Sequence, residues 1–194
     1  MKTKRNISNG LILIPKIFLV AVFIMPFYIA IVYALKSPEE TMKTGLAFPK
    51  HIYWANFTEA IEVSNFWTAA KNSLIITVVS VILLMVVCSM AAYVIARNMR
   101  SKFFQSFYYV FLAAMMLPFQ VVMLPLYVQL KDTGLLNTRI GMILTICGFQ
   151  LAYNIFVYVG FIRNIPLEME EAAYIDGAGK FYTFWKIVFP LMKP

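Results

Sequence analysis

Residues 72–96 read NSLIITVVSVILLMVVCSMAAYVIA, twenty-five positions without a charged side chain, preceded by Lys71 and closed by Arg97. At a rise of about 1.5 Å per residue, a helix of this length reaches roughly 38 Å. That exceeds the hydrocarbon core of a bilayer, about 30 Å, which takes roughly 20 helical residues. Three further stretches are uncharged for long enough to do the same: 17–35 (a span placed at about 11–35), 103–130 and 140–162. Segments of about ten residues with alternating polarity, the mark of a membrane β-barrel, are absent, so the spans are helices. The composition agrees, with 61% hydrophobic and 13% charged residues and a mean hydropathy of +0.76. These values lie outside the range of soluble domains. The expected fold is all-α, a polytopic helical membrane protein of four transmembrane helices with a helix-turn-helix after the last, at 163–194.

The net charge of +8 suggests nucleic acid only until its placement is considered. Lys2, Lys4, Arg5 and Lys16 precede the first run, and Arg97, Arg100 and Lys102 separate the second from the third. Arg163, Lys180, Lys186 and Lys193 follow the fourth. Lys36, Lys43, Lys50, Lys71, Lys131 and Arg139 occupy the other two loops. Because basic residues favour the cytoplasmic side, the first group is cytoplasmic and both chain ends lie inside. Arg97-Asn98-Met99-Arg100-Ser101-Lys102 then reads as a short connection held at the cytoplasmic lipid face. The first run is an anchor rather than a cleaved signal, being longer than a signal core and lacking a good small-x-small cleavage site. Lys16 can snorkel to the headgroups. Cys88 and Cys147 fall inside spans and read as small packing residues, not a disulfide or metal site.

The one long outer loop, 36–71, balances Glu39, Glu40, Glu59 and Glu62 against its lysines and carries His51, Tyr53, Trp54, Phe57, Phe66 and Trp67. Amphipathic aromatics favour the interface, so 54–71 is expected to be an interfacial helix leading into the second span. Pro118 and Pro125 interrupt the third run. Each removes a backbone hydrogen bond and collides with the carbonyl four residues back, so this span should be kinked or broken. Loosened backbone at membrane depth is tolerated where it faces protein or a wet cavity. Lys131-Asp132-Thr133-Gly134 forms a tight outer turn.

After the fourth run the chemistry changes. Arg163-Asn164-Ile165-Pro166-Leu167-Glu168-Met169-Glu170-Glu171-Ala172-Ala173-Tyr174-Ile175-Asp176-Gly177 holds four of the nine acidic residues. Asn164 and Pro166 mark a helix start, and the glutamates fall where the helix dipole favours negative charge. Ala172 and Ala173 make a small surface open to close approach. Gly177 and Gly179 stop the helix, and a second short helix, 181–189, ends at Pro190. Two short helices at a bend should project from the cytoplasmic face.

Catalysis finds no support here. There is one histidine, in an outer loop, and neither a phosphate-binding G-x-x-x-x-G-K-[ST] loop nor a nucleophile elbow occurs. Glu168, Glu170, Glu171 and Asp176 point in different directions from one helix, which suits an exposed acidic helix start or a docking surface better than a metal site.

The segment resembles the Glu-Ala-Ala loop of binding-protein-dependent ABC importer permeases: Glu171-Ala172-Ala173, Gly177, Ile187 and Pro190 stand at the family's spacing, with Phe189 in a leucine position. Residues 91–97 resemble the family's end of a core span, and 116–127 and 134–138 resemble its carbohydrate, maltose permease-like branch. The resemblance implies a permease without enzymatic activity of its own. It binds no cofactor, ATP and Mg being used by a cytoplasmic ABC ATPase dimer. The other implied partners are a second permease subunit, an extracytoplasmic solute-binding protein, a carbohydrate and membrane lipid, with no nucleic acid. It also implies that Glu170, Glu171, Ala172, Ala173, Asp176, Gly177, Ile187 and Pro190 form the ATPase-coupling loop. Glu170 and Glu171 would pair with basic groups of the ATPase, and Asp176 would hold the bend by a side chain-to-backbone bond. Intramembrane polar residues make Gln120, Tyr127, Gln129, Gln150, Tyr153 and Asn154 candidates for the substrate path, against an equally common role in interhelical bonding. Family members continue for about two more spans, so the chain is expected to be C-terminally truncated, leaving the second half of the loop unpinned. Two alternatives remain: a permease of the same fold for a non-sugar solute, and a non-transporting membrane protein that recruits a cytoplasmic partner.

Overall fold

The structure is a computed structural model that describes residues 2–192, with the backbone alone for 2–12 and Ile14. Met1, Lys193 and Pro194, the side chains of Lys2, Lys4 and Arg5, and the last two residues of the 163–194 segment therefore lie outside the described residues. Two compact units are present, Met1–Ala70 and Lys71–Pro194.

In the first unit, α1 (Lys2–Leu35) contains an apolar stretch, Pro15–Leu35, long enough to cross a membrane. Phe18, Phe23 and Phe27 are exposed on it, as suits a helix solvated by lipid. Its end is tied to two short helices, α2 (Pro38–Thr44) and α3 (Ala55–Val63). The Ser37 hydroxyl caps α2 by accepting from the Glu40 N–H at 3.2 Å, with Pro38 in the first turn. Lys36, 1% exposed, donates to Thr44 Oγ1 at 2.9 Å and to the Gly45 carbonyl at 2.6 Å. Asn56 Nδ2 donates to the carbonyls of Ala34 and Lys36, groups a helix end leaves without partners. The interfacial helix expected over 54–71 is cut short at Val63. A turn with Asn65 at φ +49 intervenes, and Phe66 already belongs to the next long helix. An asparagine tolerates the left-handed conformation that breaks the helix there.

The second unit is built on α4 (Phe66–Arg97, which begins just inside the first unit) and α7 (Arg139–Arg163). They lie side by side and parallel. Arg139 Nε donates to Asn72 Oδ1 at 2.8 Å near their starts, and Arg97 reaches the Ile165 carbonyl beyond the end of α7. Between these points the thiols face the neighbouring helix, Cys147 towards the Ser80 carbonyl and Cys88 towards the Leu151 carbonyl, each at 3.9 Å. Small buried residues (Ser80, Cys88, Ser89 and Ala92 on α4; Gly141 and Ala152 on α7) allow this approach, the usual solution where lipid removes any hydrophobic drive between helices. Both cysteines are free and serve as packing groups.

The expected single span 103–130 is two helices, α5 (Lys102–Met115) and α6 (Phe119–Asp132), bent by 98° at the break. Each has 14 residues, about 21 Å of helix, too short to cross alone. Pro118 is the reason: it sits extended at ψ 139, outside the helical region, and lacks the N–H that would continue α5. Pro125, by contrast, is held inside α6. α5 packs along α7, and Phe119 of α6 meets Phe149 of α7 with ring centres 5.1 Å apart. Gly134, at φ +70, and the Thr138 hydroxyl, accepting from Gly141 N–H, close the turn into α7.

Candidate functional site: the helical hairpin after the fourth apolar run

Beyond α7 the chain turns through residues 164–167. Asn164 belongs to the end of α7, its N–H bonding back to the Phe161 and Ile162 carbonyls, rather than to the start of the next helix. Helix α8 (Glu168–Ile175) follows, with Glu168, Glu170 and Glu171 in its first turn. Leu167 at its N-cap offers no side-chain acceptor, so the acidic groups complement the exposed N–H groups and the dipole instead.

Gly177 ends α8 at φ +84. Its N–H bonds the Tyr174 carbonyl at 3.1 Å and the Ala178 N–H bonds the Ala173 carbonyl at 2.9 Å. This pair is the Schellman closure, which needs a residue in the left-handed region. Gly179 is not a second stop; it caps α9 (Lys180–Thr183) in extended conformation. The Asp176 carboxylate makes no side chain-to-backbone bond among the described residues, and the bend is held by backbone bonds alone.

The second helix also differs from expectation. It runs from α9 through a π-helical turn, Phe184–Val188, into α10 (Phe189–Leu191), so Pro190 lies within the helical run instead of ending it. A proline in regular α-helix strikes the carbonyl four residues back, here that of Lys186. The wider π turn, with Phe189 N–H bonding the Phe184 carbonyl, re-spaces the backbone ahead of Pro190.

This hairpin is anchored rather than projecting. Phe184, Val188 and Met192, four residues apart, are buried in one cluster with Cys88, Ala92 and Ile95 of α4, Ile155, Val159 and Ile162 of α7, and Ile165. Phe184 also meets Tyr93 at 5.2 Å between ring centres. The second half of the loop, expected to lack a support, is pinned by its own side chains.

A polar clamp holds the first half. Glu170 is 2% exposed. Its carboxylate accepts from Tyr93 O–H at 2.6 Å and from Arg97 Nε at 2.7 Å, and Arg97 Nη2 also donates to the Ile165 carbonyl at 3.1 Å. With its proton committed to Glu170, Tyr93 accepts from Tyr174 O–H at 3.2 Å. A buried carboxylate needs such pairing to stay charged. Glu170 is thus turned inwards, and the expectation that it pairs with an outside protein is corrected: its acceptors are filled within the chain. Arg97, expected at the lipid face, is its partner. Tyr93 and Arg97 stand four residues apart on one face of α4, and that spacing was the available signal.

What remains outward is Glu171, Ala172, Ile175 and Asp176, all exposed, while Ala173 is buried. Met169, Ala172, Asp176, Gly177, Tyr182 and Ile187 line a concavity of about 670 Å³ between the two helices. Its small and apolar lining can take in side chains of another surface, and Asp176 sets a negative charge at its edge.

The six path candidates lie on α6 and α7. Gln120, Tyr127, Gln150 and Tyr153 are exposed on α6 and α7. Asn154 is half-buried and spends its amide N–H on the Gln150 carbonyl at 2.8 Å. Only Gln129 lines the cavity of about 580 Å³ in the angle between α5, α6 and α7, with Thr133 and Thr145 among otherwise largely apolar residues.

Long apolar helices, one apolar run broken at Pro118, parallel core helices and a helical hairpin pinned to their ends define the chain as a multi-pass membrane protein. Comparison with known proteins places it further. Residues 88–194 match the family described as the binding-protein-dependent transport system inner membrane component. The chain is 35% identical over 191 residues to the probable starch degradation products transport system permease protein AmyC of Thermoanaerobacterium thermosulfurigenes, covering 98% of this chain and 69% of that one. It is likewise 35% identical over 195 residues to the melibiose/raffinose/stachyose import permease protein MelC of Bacillus subtilis, covering 100% and 70%. Its fold is similar to that of a bacterial ABC transporter involved in the import of the acidic polysaccharide alginate, with a TM-score of 0.81 at 23% identity, covering 98% of this chain and 66% of that chain. The chain thus spans about two thirds of the length of these proteins. It belongs to the binding-protein-dependent transport system inner membrane component family, the permeases of ABC importers. Members of this family are membrane subunits whose ATPase is a separate protein.

Proposed function

We propose that the chain is the permease subunit of an ATP-driven importer that carries a carbohydrate, an oligosaccharide, across the cytoplasmic membrane. The hairpin 163–192 is its dock for the ATPase, and the observation that carries this reading is the division of α8 into two faces. Glu170 and Ala173 bind the hairpin to the chain, while Glu171, Ala172 and the concavity beside Gly177 and Ile187 stay open to a partner. Pro190 and its π turn hold the second helix against the ends of α4 and α7. Glu171 pairs with a basic group of the ATPase, which binds ATP and Mg. A second permease subunit and an extracytoplasmic solute-binding protein complete the importer. Its orientation follows the basic residues, with both ends and residues 163–192 on the cytoplasmic side. The exposed Gln120, Tyr127, Gln150 and Tyr153, with Asn154, face the second permease across the sugar route. The names of the relatives, one for transport of starch degradation products and one for import of melibiose, raffinose and stachyose, support the carbohydrate assignment.

The test is uptake of radiolabelled maltotriose, raffinose and an amino acid into proteoliposomes holding the chain with its partner subunits. Uptake of a sugar driven by ATP, and lost in Gly177→Asp with the chain still inserted, supports the assignment. Uptake of the amino acid alone, or undiminished ATP hydrolysis in Gly177→Asp, overturns it. Cysteine placed at Lys50 should react with an impermeant maleimide from outside and cysteine at Lys180 should not; reversed labelling would overturn the orientation.

A further inference from the structure

The clamp around Glu170 suits more than fold maintenance. α8 is joined to α7 through the chain itself, but that link runs through residues 164–167, a non-helical turn that can absorb rotation. Towards α4 the connection is a side-chain lattice with little slack. Arg97 sets both Nε and Nη2 against the Glu170 carboxylate, and Nη2 also donates to the carbonyl of Ile165, within that turn. Tyr93 bridges Glu170 and Tyr174, one turn apart on α8. The Arg97 side chain is 14% exposed and that of Glu170 3%, so solvent does little to loosen the pair. Guanidinium–carboxylate contacts with two fixed nitrogen positions also carry orientation, unlike a point charge. Among the described residues no comparable polar tie joins α8 to α5 or α6.

Resting on the reading of the hairpin as the ATPase dock, we propose that Arg97, Glu170 and Tyr93 are positioning residues for energy coupling. They make α4 and α8 a single rigid lever, so a displacement at the dock moves the whole of α4 relative to the bent α5–α6 pair. A helix rigidly joined to a docking element translates small shifts at its end along its full length.

The test places spin-label pairs in the assembled importer, in a Cys88→Ala, Cys147→Ala background. One pair sits at Val94→Cys and Glu168→Cys, the other at Val110→Cys and Glu168→Cys, all exposed positions outside the outward face of α8. Distances are read in the nucleotide-free and ATP–vanadate-trapped states. In the otherwise wild-type chain the 94–168 distance should stay fixed while 110–168 shifts. Arg97→Gln should broaden 94–168 and make it state-dependent while the ATPase stays bound, and Arg97→Lys should restore part of the narrow distribution. A state-dependent 94–168 distance in the wild-type background overturns the lever. So does an unchanged one in Arg97→Gln, which is the result a merely structural role would give in the folded fraction. Failure of the ATPase to copurify with the unlabelled chain overturns the docking reading itself, and the lever with it.

Discussion

Two adjacent glutamates offer the sharpest contrast in the molecule. Replacing Glu170 by alanine removes the acceptor of Tyr93 and Arg97 and strands a guanidinium that is almost buried. Breaking a buried pair from one side costs about 3–5 kcal/mol, because the remaining charge has lost its compensation. Arg97 keeps one bond to the Ile165 carbonyl and a little water contact, which places the expected loss near the lower end, about 3 kcal/mol. Replacing Glu171 by alanine removes an exposed side chain with no partner among the described residues, and surface changes of this kind fall within about 0.5 kcal/mol. The assay is reversible unfolding of the purified chain in mixed micelles by increasing SDS, followed through tryptophan fluorescence. Pull-down of the ATPase is measured on the same samples. Glu170→Ala should unfold at markedly lower SDS. Glu171→Ala should unfold like the parent yet retain less ATPase. Equal stability of the two variants would refute the inward assignment of Glu170, and stable binding of the ATPase by Glu171→Ala would refute the outward role of Glu171.

Glycines in α7 provide a matched pair. A Cβ at Gly141 would lie 2.2 Å from the Leu135 carbonyl oxygen, whereas one at Gly148 meets nothing within 4 Å. Gly141→Ala should therefore destabilise by about 2 kcal/mol or more, and Gly148→Ala should stabilise by up to about 1 kcal/mol, both read by the same titration. Gly177→Ala also meets no atom within 4 Å, so its cost is backbone strain at φ +84, about 1–2 kcal/mol; Gly177→Asn should recover part of it in the same assay. Lys36→Met removes the amine whose two hydrogen bonds close the end of α2, and limited proteolysis should show faster cleavage after Lys43 than in the parent.

Uninterrupted apolar runs are the best guide to this fold. Residues 72–96 and 140–162 lie inside helices Phe66–Arg97 and Arg139–Arg163, because hydrocarbon leaves the backbone no other partner than itself. Pro118 located the break in the third run, yet not its 98° angle, which depends on how α5 and α6 pack on α7. Helix α2 begins at a good start signal, Ser37-Pro38-Glu39-Glu40, but its 7 residues are too few to show the apolar period that marks a helix. At the hairpin, the acidic turn and Gly177 were legible as local chemistry. The direction of Glu170 was not, because its partners Arg97 and Tyr93 lie 73 and 77 residues away, and helical period alone does not say which face meets the protein. Pro190 misled for a local reason: its usual effect is cancelled by a π turn that no residue type announces.

The two-sidedness of α8 also bears on how such a subunit can change allegiance. Positions 170 and 173 are answerable only to the chain's own interior, and positions 171, 172 and 175 only to whatever arrives from outside. Mutations at the second set can drift or be redesigned without disturbing the first. On the proposed docking role, a new ATPase is recruited by rewriting a few outward letters of one short helix, while the membrane-embedded body keeps its inherited grammar.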